Sequence, residues 1–291
     1  MKRSPDNKRY IKMKNFLIIT NKQKDKKLAL SGHVRSMLES RGASCQICHA
    51  YKKDDTEPIE IPEGTECILV IGGDGTILNA ASRLIGSNIP LLGINRGRLG
   101  FLAEIDVHEL DMAIDDLMAD HYQLEKRIML RADVYREGEC LISYTVLNDV
   151  VVSHADFGRA TGFSVLINDT LSDSYRADGV IVCTPTGATG YNLSAGGPII
   201  NPTCKNFVIT PVCPHSLATR SVVLAKEDTV TIEVEDLRGT KKEQAVVSFD
   251  GKEGIHIRTG DQVRIRRAEE VTPFIKTREV GFTKILKEKL V

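Results

Sequence analysis

The sequence predicts an α/β domain with a mostly parallel sheet, followed by an all-β, sandwich-like domain. Three observations carry this expectation. Residues 15–126 alternate short apolar runs with helical patterns, which implies right-handed crossovers and helices on the faces of a sheet. After about residue 126 the segments become short, β-branched and often alternating, with turn signals between them such as Asn168-Asp169, Arg238-Gly239, Asp250-Gly251 and Thr259-Gly260. At 291 residues, 42% hydrophobic and 27% charged, the chain is long enough for two full cores and too apolar to be mostly disordered.

The elements follow in order. A polar tail, residues 1–14, leads into NFLIIT, residues 15–20, which reads as a buried strand. Residues 28–41 put Leu30, Val34 and Leu38 at helical spacing and stop at Gly42, so an amphipathic helix is expected there. Residues 44–50 are a second strand candidate, and CILVIGG, residues 67–73, is a third that runs directly into glycine. Then come a helix at 76–84, the strand IPLLGIN at 89–95 and a helix at 109–118. The α/β domain is expected over residues 15–126 and the β domain over 127–270, with 271–291 packing back on the first domain through an apolar, basic tail helix at 282–290. No internal repeat or low-complexity linker separates the two domains, so a firm interface is expected.

Composition excludes several classes. Lys+Arg and Asp+Glu are both 39, and a chain of zero net charge is not a general binder of nucleic acid or membrane surfaces. With no Trp and 5% aromatic residues, a stacking platform for single-stranded nucleic acid is not expected. No run approaches the roughly 18 apolar residues of a membrane span. The apolar stretch at 16–19 is too short for a signal-peptide core. A cytoplasmic protein is therefore expected. The seven cysteines are odd in number and scattered, which argues against a disulfide framework. Cys45-Gln46-Ile47-Cys48-His49 has the C-x-x-C-H form of haem attachment, and C-x-x-C also serves zinc and redox sites. Haem attachment needs export, no second pair exists for zinc, and in a strand residues i and i+3 face opposite ways. These thiols read as small apolar side chains beside a core.

The strongest local signal is Gly72-Gly73-Asp74-Gly75-Thr76, after a strand and before a helix. Glycines there let the backbone approach a phosphate, and the helix N-terminus favours anions. A carboxylate in such a turn repels phosphate, so Asp74 needs a reason. It is a candidate general base that takes a proton from an attacking hydroxyl, or else a helix cap. The G-x-G-x-x-G dinucleotide motif fails after Gly75, and the phosphate loop G-x-x-x-x-G-K-S/T is absent. A second glycine-rich stretch, residues 93–101, carries Arg96 and Arg98, which suit either phosphates or a solvated turn. Asn148 and Asp149 interrupt an apolar run, a placement that suits a ligand with hydroxyls or a simple turn. Residues 176–198 form a strand and then a loop dense in Gly, Thr and Ser, with Tyr191 offering a ring for a base or ribose.

Taken together, these segments resemble the NAD kinase family. That family carries GGDGT, then GINxGxLGF, an Asn-Glu or Asn-Asp pair, and an ADG…TPTGSTAYxLSAGGPI block, and this chain has all four in order from residue 72 to residue 200. The resemblance implies transfer of the γ-phosphoryl group of ATP to the 2′-hydroxyl of the adenosine ribose of NAD. It implies that Asp74 is the base and that Gly72, Gly73, Gly75 and Thr76 form the phosphate loop. Asn148 and Asp149 would hold the adenosine end and Asp178 the nicotinamide end. Thr189, Gly190, Tyr191, Asn192, Leu193 and Ser194 would wrap the dinucleotide. Arg159 and Arg176 match positions where the family places charge near the ligand, including from a neighbouring subunit, and Lys252 matches a position near the substrate. A divalent cation, Mg²⁺, would ride on the ATP phosphates, with no protein metal ligand named. A homodimer or homotetramer is implied. The chain departs from the family pattern in reading Asn148-Asp149 where many members have Asn-Glu, in TGATGY for TGSTAY, and in Lys252 where some members have Gln or His. GGDG also occurs in diacylglycerol and sphingosine kinases and in phosphofructokinases. A lipid kinase, and a non-catalytic NAD(P)-sensing protein, are the competing readings. The first would lack the TPTG block, and retention of Asp74 speaks against the second.

Overall fold

The computed structural model describes residues 13–21, 25–48, 58–95, 100–103, 105–155, 161–216, 218–235, 244–252, 254–277 and 281–290. Its first part runs β1 (Asn15–Thr20), α1 (Ala29–Ser40), β2 (Ser44–Cys48), β3 (Cys67–Ile71), α2 (Asp74–Arg83), β4 (Leu91–Asn95), β5 (Ile105–Asp106) and α3 (Leu110–Met118). The apolar spacing and Gly42 at φ +81° account for the limits of α1. Helix α2 starts two residues earlier than its apolar pattern predicts. Extended Gly73 is its N-cap, which puts Asp74 in the first turn.

Strands β4, β3, β1 and β2 lie side by side in that order, all parallel. Alternate residues feed two cores. Phe16, Ile18, Leu69 and Ile71 pack with Val34 and Leu38 of α1 and Ile114 and Leu117 of α3. Leu17, Ile19, Ile68 and Val70 pack on the other face with Ile77, Ala80 and Ala81 of α2. Cys45 belongs to the first core and Cys48 packs against the second, so the two thiols sit on opposite faces of β2, as the strand period requires. His49 lies outside the described residues.

The second part runs β6 (Gln123–Arg136), β7 (Glu139–Val146), β8 (Asp149–His154), β9 (Thr161–Ile167), β10 (Thr170–Ala177), β11 (Gly179–Cys183), α4 (Tyr191–Ser194), β12 (Phe207–Val212), β13 (Val222–Leu224), β14 (Thr229–Val234), β15 (Gln244–Phe249), β16 (Ile255–Arg258), β17 (Gln262–Lys276) and α5 (Phe282–Leu290). An antiparallel sheet in the order β13-β12-β11-β8-β15-β16 faces β6, β7, β9, β10, β14 and β17. Leu130, Val150, Phe163, Val182, Phe207, Ile232 and Val247 fill the space between them. Strands β8, β11 and β12 are also covered on their outer face, where Val151, Ile181 and Val208 meet Ala188 and Ala195 of the glycine-rich stretch. Burial on both faces explains why these strands read as continuous apolar runs.

One strand serves both parts. Strand β17 pairs with β14 and β6, and then Phe274 pairs in parallel with Leu91 of β4. Among the described residues this makes a single eleven-stranded sheet. Residue 126 lies inside β6 and residue 270 inside β17, so both expected domain limits fall within strands, which pair from Gln262↔Tyr135 to Lys276↔Gln123 with a shift of register between Arg267 and Val271. The face carrying α2 is the one the β region packs against. Leu147, fully buried, joins Ile77, Ala80, Met129, Ala268 and Phe274 there. No helix among the described residues is long and apolar enough to cross a membrane.

Leu147 therefore sits where the two parts meet. Leu147→Ala is expected to cost about 2–5 kcal/mol, the usual range for a buried leucine. The urea midpoint of the variant checks this, and an unchanged midpoint would show that the contact with α2 carries little.

Candidate active site

Strands β3 and β4 end together, with Ile71 opposite Ile94. The carboxyl ends of parallel strands are where open α/β sheets take ligands. Gly73 and Gly75 leave bare backbone, since an added Cβ at either would meet nothing within 4 Å. The first N–H groups of α2 emerge at the same place. Thr76 is buried beneath the turn.

Asp74 does not cap its own helix. Its Oδ2 accepts the N–H of Phe101 at 2.8 Å, and its Oδ1 accepts those of Leu102 at 3.2 Å and Ala103 at 3.4 Å. The N-cap is Gly73, with no side-chain cap. The carboxylate thus ties the loop after β4 to the start of α2. A Cβ on residue 100 would lie 1.7 Å from Asp74 Oδ1, so only glycine fits there. Arg96 and Arg98 lie outside the described residues.

Opposite, Asn148 and Asp149 begin β8. Asp250, just past the end of β15, accepts the N–H groups of Leu147 at 2.8 Å, Asn148 at 2.7 Å and Asp149 at 3.1 Å. Asp250 has φ +50°, which the Asp-Gly turn signal anticipates. The Thr184 N–H donates to the Asn148 carbonyl at 2.8 Å, and the Gly187 N–H donates to Thr184 Oγ1 at 3.1 Å. A Cβ on residue 187 would come within 2.3 Å of the Asn148 carbonyl oxygen, so glycine is required for the loop to close over Asn148. Two loops distant in sequence, one after β11 and one after β15, converge on Asn148 and Asp149.

The two side chains are set apart by their surroundings. Asn148 Oδ1 is buried with no hydrogen-bond partner. Asp149 is 7% exposed, and burial together with the charge of Asp250 pushes its pKa up to about 7. Burial raises Asp250 as well, against the pull of its three N–H donors and of Lys252. Burial thus pushes both carboxyl groups of the pair toward the protonated form.

A cleft of roughly 400 Å³ opens here, lined by Leu78 of α2 and by Asn148, Asp149, Val151, Ser153, Tyr191, Ser248, Asp250 and Gly251. That volume is at the lower end for small-molecule sites. Tyr191 is 48% exposed, and its hydroxyl pKa is raised by burial and then by the charges of Cys213, Asp178 and Asp149. Asp178 is half-buried, its backbone bonded to Val212 and His154. Thr189 and Leu193 are half-buried, and Gly190 and Ser194 are exposed. A Cβ at Gly190 would lie 3.3 Å from the Gly187 oxygen and 3.8 Å from Asn148 Nδ2, so the missing methyl leaves room beside Asn148.

Other expected site residues sit differently. Asn192 is fully buried. Its Nδ2 donates to the carbonyls of Ala188 and Pro198, and its Oδ1 accepts from Thr210 at 2.6 Å. As placed, this side chain supports the loop from beneath. Lys252 Nζ donates to Ser82 Oγ of α2 at 2.9 Å, linking the two parts across the cleft. The Arg176 side chain is exposed, and its carbonyl accepts the His215 N–H. Arg159 lies outside the described residues. Sequence reasoning did not single out Asp250 as anchor, nor Leu78, Ser153 and Ser248 as lining. The Asp-Gly pair marked only a turn, and its partners are about a hundred positions away.

Residues 9–122 match the ATP-NAD kinase N-terminal domain and residues 147–277 the ATP-NAD kinase C-terminal domain. The chain belongs to the NAD kinase family. An NAD kinase from Lachnoclostridium phytofermentans is 40% identical over 281 residues, covering 95% of this chain and 99% of the relative. Two solved structures share the fold. Yeast NADH kinase complexed with NADH aligns with a TM-score of 0.83 at 21% identity, over 99% of this chain and 92% of its own. An NAD kinase from Archaeoglobus fulgidus in complex with ATP aligns with a TM-score of 0.75 at 21% identity, over 94% and 98%. In this NAD kinase family member the cleft is lined by the Asn-Asp pair, by Tyr191 of the stretch after TPTG, and by Leu78 of α2, the helix that the GGDG motif begins.

A carboxyl group raised to about 7 has a stability signature. Asp149 favours the protonated form when folded, so the folded protein binds more protons between pH 4 and pH 7 than the unfolded chain. Stability contributed by this group is present in full below pH 4, is lost as pH rises through 7 and is flat above. Asp149→Asn removes that loss. The variant is expected to gain stability over the parent between pH 5 and pH 8, measured as paired urea midpoints, and parallel curves would contradict the shift.

Proposed function

We propose that this chain transfers the γ-phosphoryl group of ATP to the 2′-hydroxyl of the adenosine ribose of NAD, giving NADP and ADP. One observation carries the reading. A buried amide oxygen without a donor, Asn148 Oδ1, stands beside a buried carboxyl group, in a cleft also lined by Leu78 of α2, the helix whose first turn holds Asp74. An adenine amino group supplies a donor for the first, and ribose hydroxyls supply donors for the second. The family membership supports the same pairing.

In this reading the phosphates of ATP lie against the bare backbone of Gly73 and Gly75, at the start of α2. Asp74 takes the 2′-hydroxyl proton as the new oxygen–phosphorus bond forms and the bond to ADP breaks. Its three N–H donors hold it in place for that task. Such reactions depend mostly on positioning and on charge neutralisation. Asp178 serves the nicotinamide end, with Thr189, Gly190, Tyr191, Leu193 and Ser194 along the dinucleotide. Asn192 shapes that loop, and Lys252 closes α2 toward the substrate. Arg176 and Arg159 contribute charge at the rim. Mg²⁺ would enter bound to the phosphates of ATP as part of the donor, since it rarely takes an all-protein cage. In the cleft lining, Asn148, Asp149, Ser153, Ser248 and Asp250 suit amides and hydroxyls, and Leu78, Val151 and Tyr191 suit a ring.

We place the enzyme in the cytoplasm, where ATP and NAD are drawn on for NADP biosynthesis, as a homodimer or homotetramer. Exposed Leu171 on β10 and Val222 and Val223 on β13, both edge strands, fit contacts between copies.

The direct test is NADP formation by the purified protein with ATP, Mg²⁺ and NAD. A folded sample that binds NAD and makes no NADP overturns the reading. Asp74→Asn keeps size and one acceptor oxygen and removes proton acceptance, so turnover is expected to fall about 10²–10⁴-fold. NADP binding should persist or improve, because its 2′-phosphate no longer meets a carboxylate. Near-normal turnover would mean that Asp74 only ties the loop. Asp149→Ala is expected to weaken NAD binding by roughly 1.5–3 kcal/mol with less effect on ATP, and titration calorimetry with each ligand separates a recognition role from a structural one.

A further inference from the structure

The phosphate end of the site has a charge problem. The donor carries several negative charges, Asp74 adds one more, and Gly72-Gly73-Asp74-Gly75-Thr76 contains no cation. Phosphate loops of the G-x-x-x-x-G-K-S/T kind meet this with a lysine next to the glycines. Here a lysine arrives from the other end of the chain. Lys289 of α5 has its Nζ 4.8 Å from the centroid of the Phe101 ring. Phe101 is the residue whose N–H donates to Asp74 Oδ2 at 2.8 Å. Ammonium, ring, amide and carboxylate thus form one connected set at the mouth of the GGDG turn. Burial lowers the Lys289 pKa while the negative charge of Asp74 acts to raise it, which places the two charges within each other's field. Lys289 is half-buried, whereas Lys284 and Lys287 of the same helix are exposed, so α5 turns this one lysine toward the site.

We propose that Lys289 binds the polyphosphate of the phosphoryl donor, so that the C-terminal helix supplies the cation that the GGDG turn lacks. The proposal rests on the phosphoryl-transfer reading above. Without donor, the face of the Phe101 ring and the field of Asp74 seat the ammonium. With donor phosphates on Gly73 and Gly75, a charged oxygen is the stronger partner, and a flexible four-carbon stem lets Nζ move to it. There it offsets the repulsion between Asp74 and the phosphates.

The test compares the wild-type protein, Lys289→Gln and Lys289→Arg by steady-state kinetics, with ATP and NAD varied separately and melting temperatures recorded. Lys289→Gln is expected to lower kcat/KM for ATP by about ten- to a hundredfold, the worth of one charged hydrogen bond. KM for NAD and the melting temperature should stay within experimental scatter of the wild type, and Lys289→Arg should restore most of the loss. Phe101→Leu, which keeps the amide to Asp74 and removes the ring, should weaken ATP use less than Lys289→Gln. Unchanged ATP kinetics in Lys289→Gln, beside an active wild type, overturns this proposal and leaves the phosphoryl-transfer reading standing. An equal loss for both substrates with a lowered melting temperature also overturns it, because α5 would then only pack. A wild type that makes no NADP overturns both.

Discussion

The carboxylate of Asp250 accepts three consecutive backbone N–H groups, those of Leu147, Asn148 and Asp149, and the cleft is built around that contact. It joins the end of β15 to the start of β8. Without it three donors would be buried with no acceptor, at about 1–3 kcal/mol each. With it, Leu147 is turned into the core against α2, the Asn148 carbonyl is offered to Thr184, and Asp149 faces the cleft. Asp74 repeats the device with the N–H groups of Phe101, Leu102 and Ala103. In both places an acidic side chain after a strand holds a neighbouring loop by its amides. The difference lies in what remains available. Asp250 is spent on three amides at the wall of the cleft, whereas Asp74 stands beside the bare backbone of Gly73 and Gly75 at the start of α2.

The cleft concentrates polar demand at one point. Asn148 Oδ1 is buried without a donor, and Asp149 shares a small space with Asp250. Polar groups so placed cost free energy unless a partner meets them. The surrounding cores are continuous, and they hold this geometry in place.

The shared sheet gives the site its precision. The carboxylate at Asp74 belongs to the parallel strands, while Asn148 and Asp149 belong to the antiparallel ones. Strand β17 hydrogen-bonds to strands of both kinds, and Lys252 adds a bond to Ser82 of α2. A transfer between two bound substrates needs reacting atoms held within a fraction of an ångström, and a continuous ladder resists hinge motion better than a linker does. The helix after β17 is carried back to Phe101 by the same strand.

Much of this was legible in the sequence for local reasons. Alternating apolar runs specified the strands of both parts, because side chains on a strand point alternately to two faces. Helical spacing specified α1, α2 and α3, and glycine at a left-handed φ ended α1. The glycine-rich segments announced loops at strand ends, and their residue types announced phosphate and hydroxyl chemistry. The tertiary structure decided what no local pattern contains. Strand pairing brings Asp250 to Asn148, and the parallel pairing of β3 with β4 brings Phe101 to Asp74. Dense packing beneath the loop turns Asn192 inward. The texture change near residue 126 marked a switch from helix-covered to sheet-covered strands, yet β6 and β17 pass through the expected limits, since a hydrogen-bond ladder depends on backbone register and is indifferent to which side chains cover it. Side-chain period is written in the chain one residue at a time. Which distant backbone amides a buried carboxylate will hold is settled only when the strands that carry them lie side by side.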